Sequence, residues 1–360
     1  MPFSSGTFTY TTSGLPVVTG TAISSTVENA KNTETATGLT TCLLKDGTQT
    51  VTANIPMSSF KFTGLAAGSA SGDSLRYEQV NGVVTTAGDL LVASGAGAFR
   101  RSPALRMLIS GLVQSQAADT DHDTTIAVGG TMDSTNAYWL ALASALTKRI
   151  DAAWAVGTNN GGLDGTESVA GTPDASTWYY IHLIARSDTG VVDALYSESA
   201  TAPTMPTNYD YRRLIGCVLT DSSANIIAYD AYELSGGGLE VRWQTPPRDV
   251  DLADTLTTSA RTDTLSVPTA FSVHVSIWVF ASDDAAAESV FVSCPDQADQ
   301  APSLTDTPGV TARGAGAASG GWMTLRTRTS ATGTIRARAS VATMDTYIVV
   351  TYGFEWARRN

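Results

Sequence analysis

Four arginines at two-residue spacing carry the densest chemistry in the chain. Arg326 and Arg328 stand in MTLRTRT, and Arg336 and Arg338 in TIRARASV. Strand periodicity puts each pair on one face, and the intervening Ser-Ala-Thr-Gly turn predicts a hairpin that sets the two pairs side by side. Four like charges repel, so the arrangement requires partners. One reading supplies them as acidic groups such as Glu288 or carboxylates of a neighbouring chain. The other supplies a phosphate or an acidic sugar, held by bidentate guanidinium forks. Trp322, four residues before Arg326, belongs with Trp154, Tyr209 and Tyr211 among aromatic side chains that could stack on sugar rings, while most of the seven tryptophans are expected in cores.

Other constellations are weaker. DTDHD places Asp119, Asp121 and Asp123 at the spacing that opens a calcium loop. Thr124 then stands where that loop needs glycine, and Gly130 where it needs a bidentate glutamate, so a solvated acidic loop is the expected state. His182 and His274 lie within apolar strands and are expected as sheet histidines. Cys42, Cys217 and Cys294 are far apart, which argues against a disulfide framework or a zinc knuckle. The closest approach to a nucleophile elbow, GSASG, has Ala70 at its centre, and GAGAASGG lacks the glycine spacing of a dinucleotide site. Paired carboxylates for glycoside cleavage are a three-dimensional matter, but no parallel β-helix rungs are present to carry them. The chain is expected to be no enzyme and to use no cofactor.

The elements that must position these residues are mostly short strands. Charged residues are 16% of the 360, well under the roughly 25% of an ordinary soluble domain. Thr, Ser, Ala and Gly fill the difference, a composition suited to half-buried strands. A net charge of −12, from 22 Lys+Arg against 34 Asp+Glu, argues against nucleic-acid binding. No basic-then-apolar leader and no run of 18 apolar residues occurs, so neither secretion nor membrane insertion is expected.

One long helix is predicted, over about 24–44, opening on the Ser25–Glu28 capping-box spacing. Its apolar stripe (Ile23, Val27, Ala30, Leu39 or Cys42) is too thin to bury it against its own domain, so it is expected to pack on sister chains or another protein. Asp46–Gly47 then predicts a reversal into an irregular extended segment ending near residue 65. Residues 66–103 read as a Gly/Ser-rich connector with a few short strands. From about 104 to 234, turn signals at sandwich-like intervals predict an antiparallel β-sandwich. Its hairpins are TWYYIHLIAR with VVDALYS, and RRLIGCVL with IIAYDAYE, while YWLALASALTKRIDAAWA reads as two strands. SGGGLE (235–240) is the expected boundary. A second antiparallel sandwich is expected over 240–360, with FSVHVSIWVF alternating at period two and TYIVVTYGFEW as the last strand.

The order of motifs carries a resemblance. The helix, LLKDGTQTVTANIPM and FKFTGLAAGSASGDSLRYEQV resemble the virion-attachment end of tail-fibre proteins of short-tailed bacteriophages, and the middle and terminal segments (LTKRIDAAWAVGTNNGGLDG, PTNYDYRRLIGCVLTD, TGTIRARAS) are similar to their fibre modules. The resemblance implies a homotrimeric fibre on the surface of a virion, made in the host cytoplasm. Its attachment segment would include Asp46, Gly47, Ile55, Met57 and Lys61 and would dock on a tail adaptor, portal or capsid protein. Its distal β-domains would bind a bacterial polysaccharide or lipopolysaccharide. A head fibre or capsid-decorating spike, and a polysaccharide-degrading tailspike, are the alternatives. No catalytic residue comes with the resemblance.

Overall fold

A computed structural model describes residues 3–4, 7–8, 20, 22, 24–40, 90–95, 98–102, 108–283, 289–303 and 320–358. The chain divides into two units, Met1–Ala66 and Ala67–Asn360. In the first, β1 (Phe3–Ser4) pairs with β2 (Thr7–Phe8), and α1 spans Ser25–Thr40. The Glu28 N–H donates to the Ser24 carbonyl at 3.0 Å, so the cap position is Ser24, one residue before the expected Ser25. Of Ser25–Leu39 only Gly38 is buried, and Leu39 is 61% exposed. The hydroxyls of Thr33, Thr35 and Thr37 turn back onto carbonyls four residues earlier, which occupies their polar groups without help from packing. The Asp46–Gly47 turn and Ile55, Met57 and Lys61 lie outside the described residues.

The second unit is mainly β. A hairpin of β3 (Leu90–Gly95) and β4 (Ala98–Ser102) comes first. After it come β5 (Ile109–Gly111), β6 (Gln114–Gln116), β7 (Asp123–Ile126), β8 (Gly129–Met132), β9 (Trp139–Leu142), β10 (Leu146–Ala153) and β11 (Asn160–Leu163). Next are β12 (Trp178–Ala185), β13 (Val192–Ser197), β14 (Tyr211–Leu219), β15 (Tyr229–Leu234), β16 (Gly238–Trp243), β17 (Arg248–Leu256) and β18 (Arg261–Thr264). The chain closes with β19 (His274–Ser282), β20 (Val290–Ser293), β21 (Gly320–Arg328), β22 (Thr334–Ala339) and β23 (Met344–Trp356). A seven-stranded sheet runs β14-β12-β13-β11-β10-β7-β6 and a six-stranded one β15-β16-β23-β19-β21, with β17 also on β23. Two three-stranded sheets, β18-β22-β20 and β5-β8-β9, complete the set.

YWLALASALTKRIDAAWA does form two strands, β9 and β10, and TWYYIHLIAR pairs with VVDALYS as β12 with β13. Residues 179–185 of β12 are all buried, so both faces are covered and the run reads as continuously apolar. The second expected hairpin is cut short. After β14 only a single bridge, Thr220↔Ile226, closes its turn, and β15 then pairs with β16 in the other large sheet. The SGGGLE stretch is the turn and opening of that β15–β16 hairpin. Gly237 there has φ +80°, and a Cβ on it would lie 2.2 Å from the Ile109 carbonyl oxygen, so only glycine fits.

The expectation of purely antiparallel sheets also needs correcting. β11 runs parallel to both β10 and β13. Parallel neighbours ordinarily need a crossover of about a dozen residues, but residues 154–159 make this return alone. A buried ion pair fastens the return loop. Lys148 and Asp193, each with a side chain 1% exposed, are joined at 3.2 Å. The Lys148 ammonium donates to the carbonyls of Ala155 (2.6 Å) and Gly157 (3.3 Å), and Asp193 accepts from the Gly157 N–H at 2.7 Å. Burial pulls the Lys148 pKa below the ordinary lysine range, with Asp193 opposing that pull.

Most buried apolar side chains fall in one cluster drawn from both large sheets and from β20 and β22. Trp178 of β12 lies 6.0 Å from the rings of both Trp243 and Phe354. Arg358, just past β23, is fully buried and binds carbonyls from three separate segments. It donates to Gly237 (2.6 Å) and Gly238 (3.4 Å), to Gly111 and Leu112 (3.2 Å each), and to Ile215 (3.5 Å). Ile215 has that carbonyl to offer because it is the extra residue of a bulge in β14, where Gly216 and Leu214 face successive residues of β12. The Arg358 carbonyl in turn accepts from Arg213 at 2.8 Å.

Candidate ligand-binding face

The outward face of the six-stranded sheet is the best-built surface among the described residues. β19 alternates strictly: Val275, Ile277, Val279 and Ala281 are buried, while His274, Ser276, Trp278 and Phe280 point away. Strand register then composes rows across the face. The first is Arg328, His274, Glu355, Glu240 and Tyr232, and the second is Arg326, Ser276, Gly353, Arg242 and Asp230. The third brings Thr324 to Trp278 and Val350, and the fourth Trp322 to Phe280 and Ile348. One end of the face is therefore charged, and the other carries the aromatic rings of β19 and β21 with the exposed Arg248–Asp251 pair of β17 beyond Val350 and Ile348. Trp322 is 71% exposed, and Trp278 stacks on Phe280 with ring centroids 5.9 Å apart.

Gly353 shapes the middle. Ser276 pairs with Gly353 and Ile277 with Thr351, so Tyr352 is the extra residue of a bulge that turns its ring outward. The glycine leaves a cavity of about 310 Å³ bounded by Glu240, Arg242, Ser276, Thr324, Tyr352 and Glu355. A Cβ at 353 would lie 2.1 Å from the Val241 carbonyl oxygen and 2.9 Å from the Arg242 Cα. Gly353→Ala is therefore expected to push β16 away and cost about 1–3 kcal/mol. Urea denaturation checks this, and an unchanged midpoint would show that the strands yield more easily than their spacing implies.

Two further depressions adjoin. One, of about 170 Å³, lies between the β15–β16 turn and Trp356. The other, of about 260 Å³, is lined by Ser272, His274, Arg328, Glu355 and Trp356. Glu355 borders all three. Its carboxylate is paired with Arg326, which reaches over β19, and Glu240 is paired with Arg242 at 2.7 Å. Arg328 donates to the Ser272 hydroxyl at 2.6 Å and has no carboxylate partner among the described residues. Exposed pairs of this kind contribute about 0–1 kcal/mol, so a ligand can exchange them at little cost.

The arginines expected to meet in a hairpin do not. β21 with Arg326 and Arg328 pairs β19, whereas β22 with Arg336 and Arg338 lies between β18 and β20 in another sheet. The turn at Ser330–Gly333 forms, with the Ser330 N–H on the Thr334 carbonyl at 2.9 Å, but the chain crosses between sheets there. Arg336 holds the loop after β20, donating to Ser293 Oγ (3.1 Å) and to the carbonyls of Gln297 (2.9 Å) and Ala298 (3.0 Å). Arg338 pairs with Asp299 at 2.8 Å. Asp299 and Glu355 thus fill the part expected of Glu288, which lies outside the described residues.

Of the other candidates, Trp154 packs edge-on against Tyr209 (5.2 Å) and donates to the Ala194 carbonyl, and Tyr211 stacks on Tyr138 at 4.4 Å, so these rings are used internally. The Asp119 carboxylate folds back onto the Asp121 N–H and the His122 ring. Among the described residues no three His, Cys, Asp or Glu gather to hold a metal ion, so Asp119, Asp121 and Asp123 do not converge on one. His182 is buried against the Ser199 carbonyl at 2.9 Å, and burial brings its pKa down to about 4. His274 is exposed on the face just described. Glu240, Arg242, Tyr352 and Glu355 were not expected from sequence. The isolated glycine in TYGFEW was the available signal, because a glycine inside a strand pattern marks a bulge.

No protein family matches the chain, and no curated protein matches it. Among solved structures, a structure of the infectious bursal disease virus Gx strain is similar over 69% of this chain and 70% of its own, at 11% identity and a TM-score of 0.18. A crystal structure of domains CD, residues 230–489 of its parent protein, is similar over 69% of this chain and 97% of its own, at 11% identity and a TM-score of 0.15. Likeness at that level carries no argument about fold or function.

Proposed function

We propose that this chain is a structural and adhesive protein of a virion, a fibre of the short-tailed phage type. Three copies associate, and the segment containing Asp46, Gly47, Ile55, Met57 and Lys61 docks on a tail adaptor, portal or capsid protein. Two β-sandwich regions project outward and hold a bacterial surface polysaccharide or lipopolysaccharide without cleaving it. The order of the N-terminal motifs supports the fibre reading, as does a helix with almost nothing buried along it. The adhesive part is carried by one observation: a rigid sheet face that joins an exposed aromatic shelf to a polar groove. Sugars present apolar C–H faces and a rim of hydroxyls, which suits such a surface.

A head fibre or capsid-decorating spike uses the same architecture with a different docking site. A polysaccharide-degrading spike is favoured by one feature, the cross-strand placement of Glu240 directly opposite Glu355. Each of those carboxylates is already neutralised by an arginine, which is why binding without cleavage is the leading reading. Release of reducing sugar by the purified chain, abolished in Glu355→Gln, would reverse that order.

The test is light scattering together with adsorption to a panel of purified bacterial surface polysaccharides. The expected mass is three times the chain's 37.5 kDa. Replacing Trp278 and Trp322 together with alanine is expected to weaken retention roughly tenfold or more, at about 1–3 kcal/mol per lost stacking contact. A monomeric mass would overturn the fibre, and unchanged retention in the double variant would overturn the adhesive face.

A further inference from the structure

Resting on that adhesive reading, we infer that the ligand is an anionic saccharide, whose acidic group sits at the β21 edge of the groove on Arg328. Charge across the face is not evenly laid. Glu240 is matched by Arg242 and Glu355 by Arg326, which leaves Arg328 as the guanidinium of this face with no carboxylate pair among the described residues. It is held in place by Ser272 through one N–H, so its remaining donors are aimed rather than free to wander. The cavity of about 260 Å³ beside it is bounded by the Ser272 hydroxyl, the His274 ring and the Glu355 carboxylate over a floor of Trp356. Single depressions here fall at or below the low end of the roughly 300–1,000 Å³ of small-molecule sites, so each suits one ring rather than a whole ligand. Glu355 borders all three, which makes the groove a track for a linear chain of rings. Along it, Glu355 and Glu240 accept from hydroxyls, while Arg328 takes the carboxylate or phosphate in a planar fork. A neutral glycan would leave that fork without its anion, and an acidic peptide would bring no run of hydroxyl donors for Glu240 and Glu355.

The test titrates the full chain with tetragalacturonate and with its fully methyl-esterified, uncharged form, following tryptophan fluorescence. The acid form is expected to bind roughly ten- to a hundredfold more tightly, the range of one charge-assisted contact. Arg328→Gln should bring the two affinities together without weakening the ester, and Arg328→Lys should restore part of the preference. Competition by glucuronate and by glucose 6-phosphate distinguishes a carboxylate from a phosphoryl group as the anion recognised, and displacement by either supports the inference. Equal affinity for acid and ester, a preference that survives Arg328→Gln, or binding of neither tetrasaccharide would overturn it. Oligoglutamate binding as tightly as tetragalacturonate would also overturn it, by showing that charge alone is read. The polysaccharide panel reports separately on adhesion: retention that depends on Trp278 and Trp322, alongside any of these failures, leaves the adhesive reading standing and removes only the acidic ligand.

Discussion

Replacing Arg358 with methionine is expected to destabilise the second unit by about 3–5 kcal/mol, as when one partner of a buried charged network is lost. The side chain is 0% exposed, and its donors reach carbonyls of residues 111–112, 215 and 237–238. Those segments belong to β5, the β14 bulge and the β15–β16 turn. No single strand pairing joins them, so Arg358 is their common tie. Methionine fills similar length but brings no donor to those carbonyls in a space that excludes water. Burial lowers the Arg358 pKa to about 10, with Glu233 at 3.9 Å opposing and Arg213 adding to the pull, so the group stays charged at neutral pH. Calorimetry gives a further readout. The wild-type unit is expected to melt in one transition, and Arg358→Met in two as the seven- and six-stranded sheets lose their shared fastening. A chain stopped after Ala357 should behave the same way. A methionine variant within about 1 kcal/mol of wild type would show that the apolar cluster alone holds the segments together.

The second large effect is expected at Lys148. Lys148→Met removes the donor for Ala155 and Gly157 and leaves Asp193 as an unpaired carboxylate in the interior, again at about 3–5 kcal/mol. Asp193→Asn should cost less, because an amide oxygen can still accept from the Gly157 and Ala194 N–H groups that now lie at 2.7 Å. The double variant should be milder than the sum of the two singles, since no lone charge remains. A double-mutant cycle in urea isolates that coupling, expected at about 1–3 kcal/mol. Additive losses would mean that the lysine serves the return loop alone and that Asp193 is incidental to it.

How much of this was legible depends on how far apart the partners lie in sequence. β12 and β13 could be read because both faces of TWYYIHLIAR are apolar and a Gly190 turn comes directly after. The outward set of β19 could be read because FSVHVSIWVF alternates without a break. The arginine hairpin misled because Ser330–Gly333 is a real turn. Turn chemistry reports that a chain reverses, and says nothing about whether the strands on either side stay in one sheet. Ile335, Ala337 and Ala339 enter the core between β18 and β20, and that pull separates β22 from β21. Glu240 and Glu355 become neighbours only through the register of β16 with β23, a pairing between distant parts of the chain that no local pattern announces. The parallel β11 was hidden for the same reason, because its return loop is fastened by a lysine and an aspartate that look solvent-facing in isolation.

The position of β23 at the centre of the six-stranded sheet sets a schedule for folding on the ribosome. It supplies the pairing edge for β16, β17 and β19, yet it is the last of them to be made. At roughly 5–20 residues per second, on the order of ten seconds pass between synthesis of β16 and of Trp356. During that interval three strands are without their central neighbour, with apolar faces such as Val275–Ala281 uncovered and open to wrong partners. The seven-stranded sheet, complete by residue 219, has time to form first and can template the strands synthesised after it. Arg358 emerges two residues after the sheet can close, so the order of synthesis puts the fastening in place only once there is something to fasten.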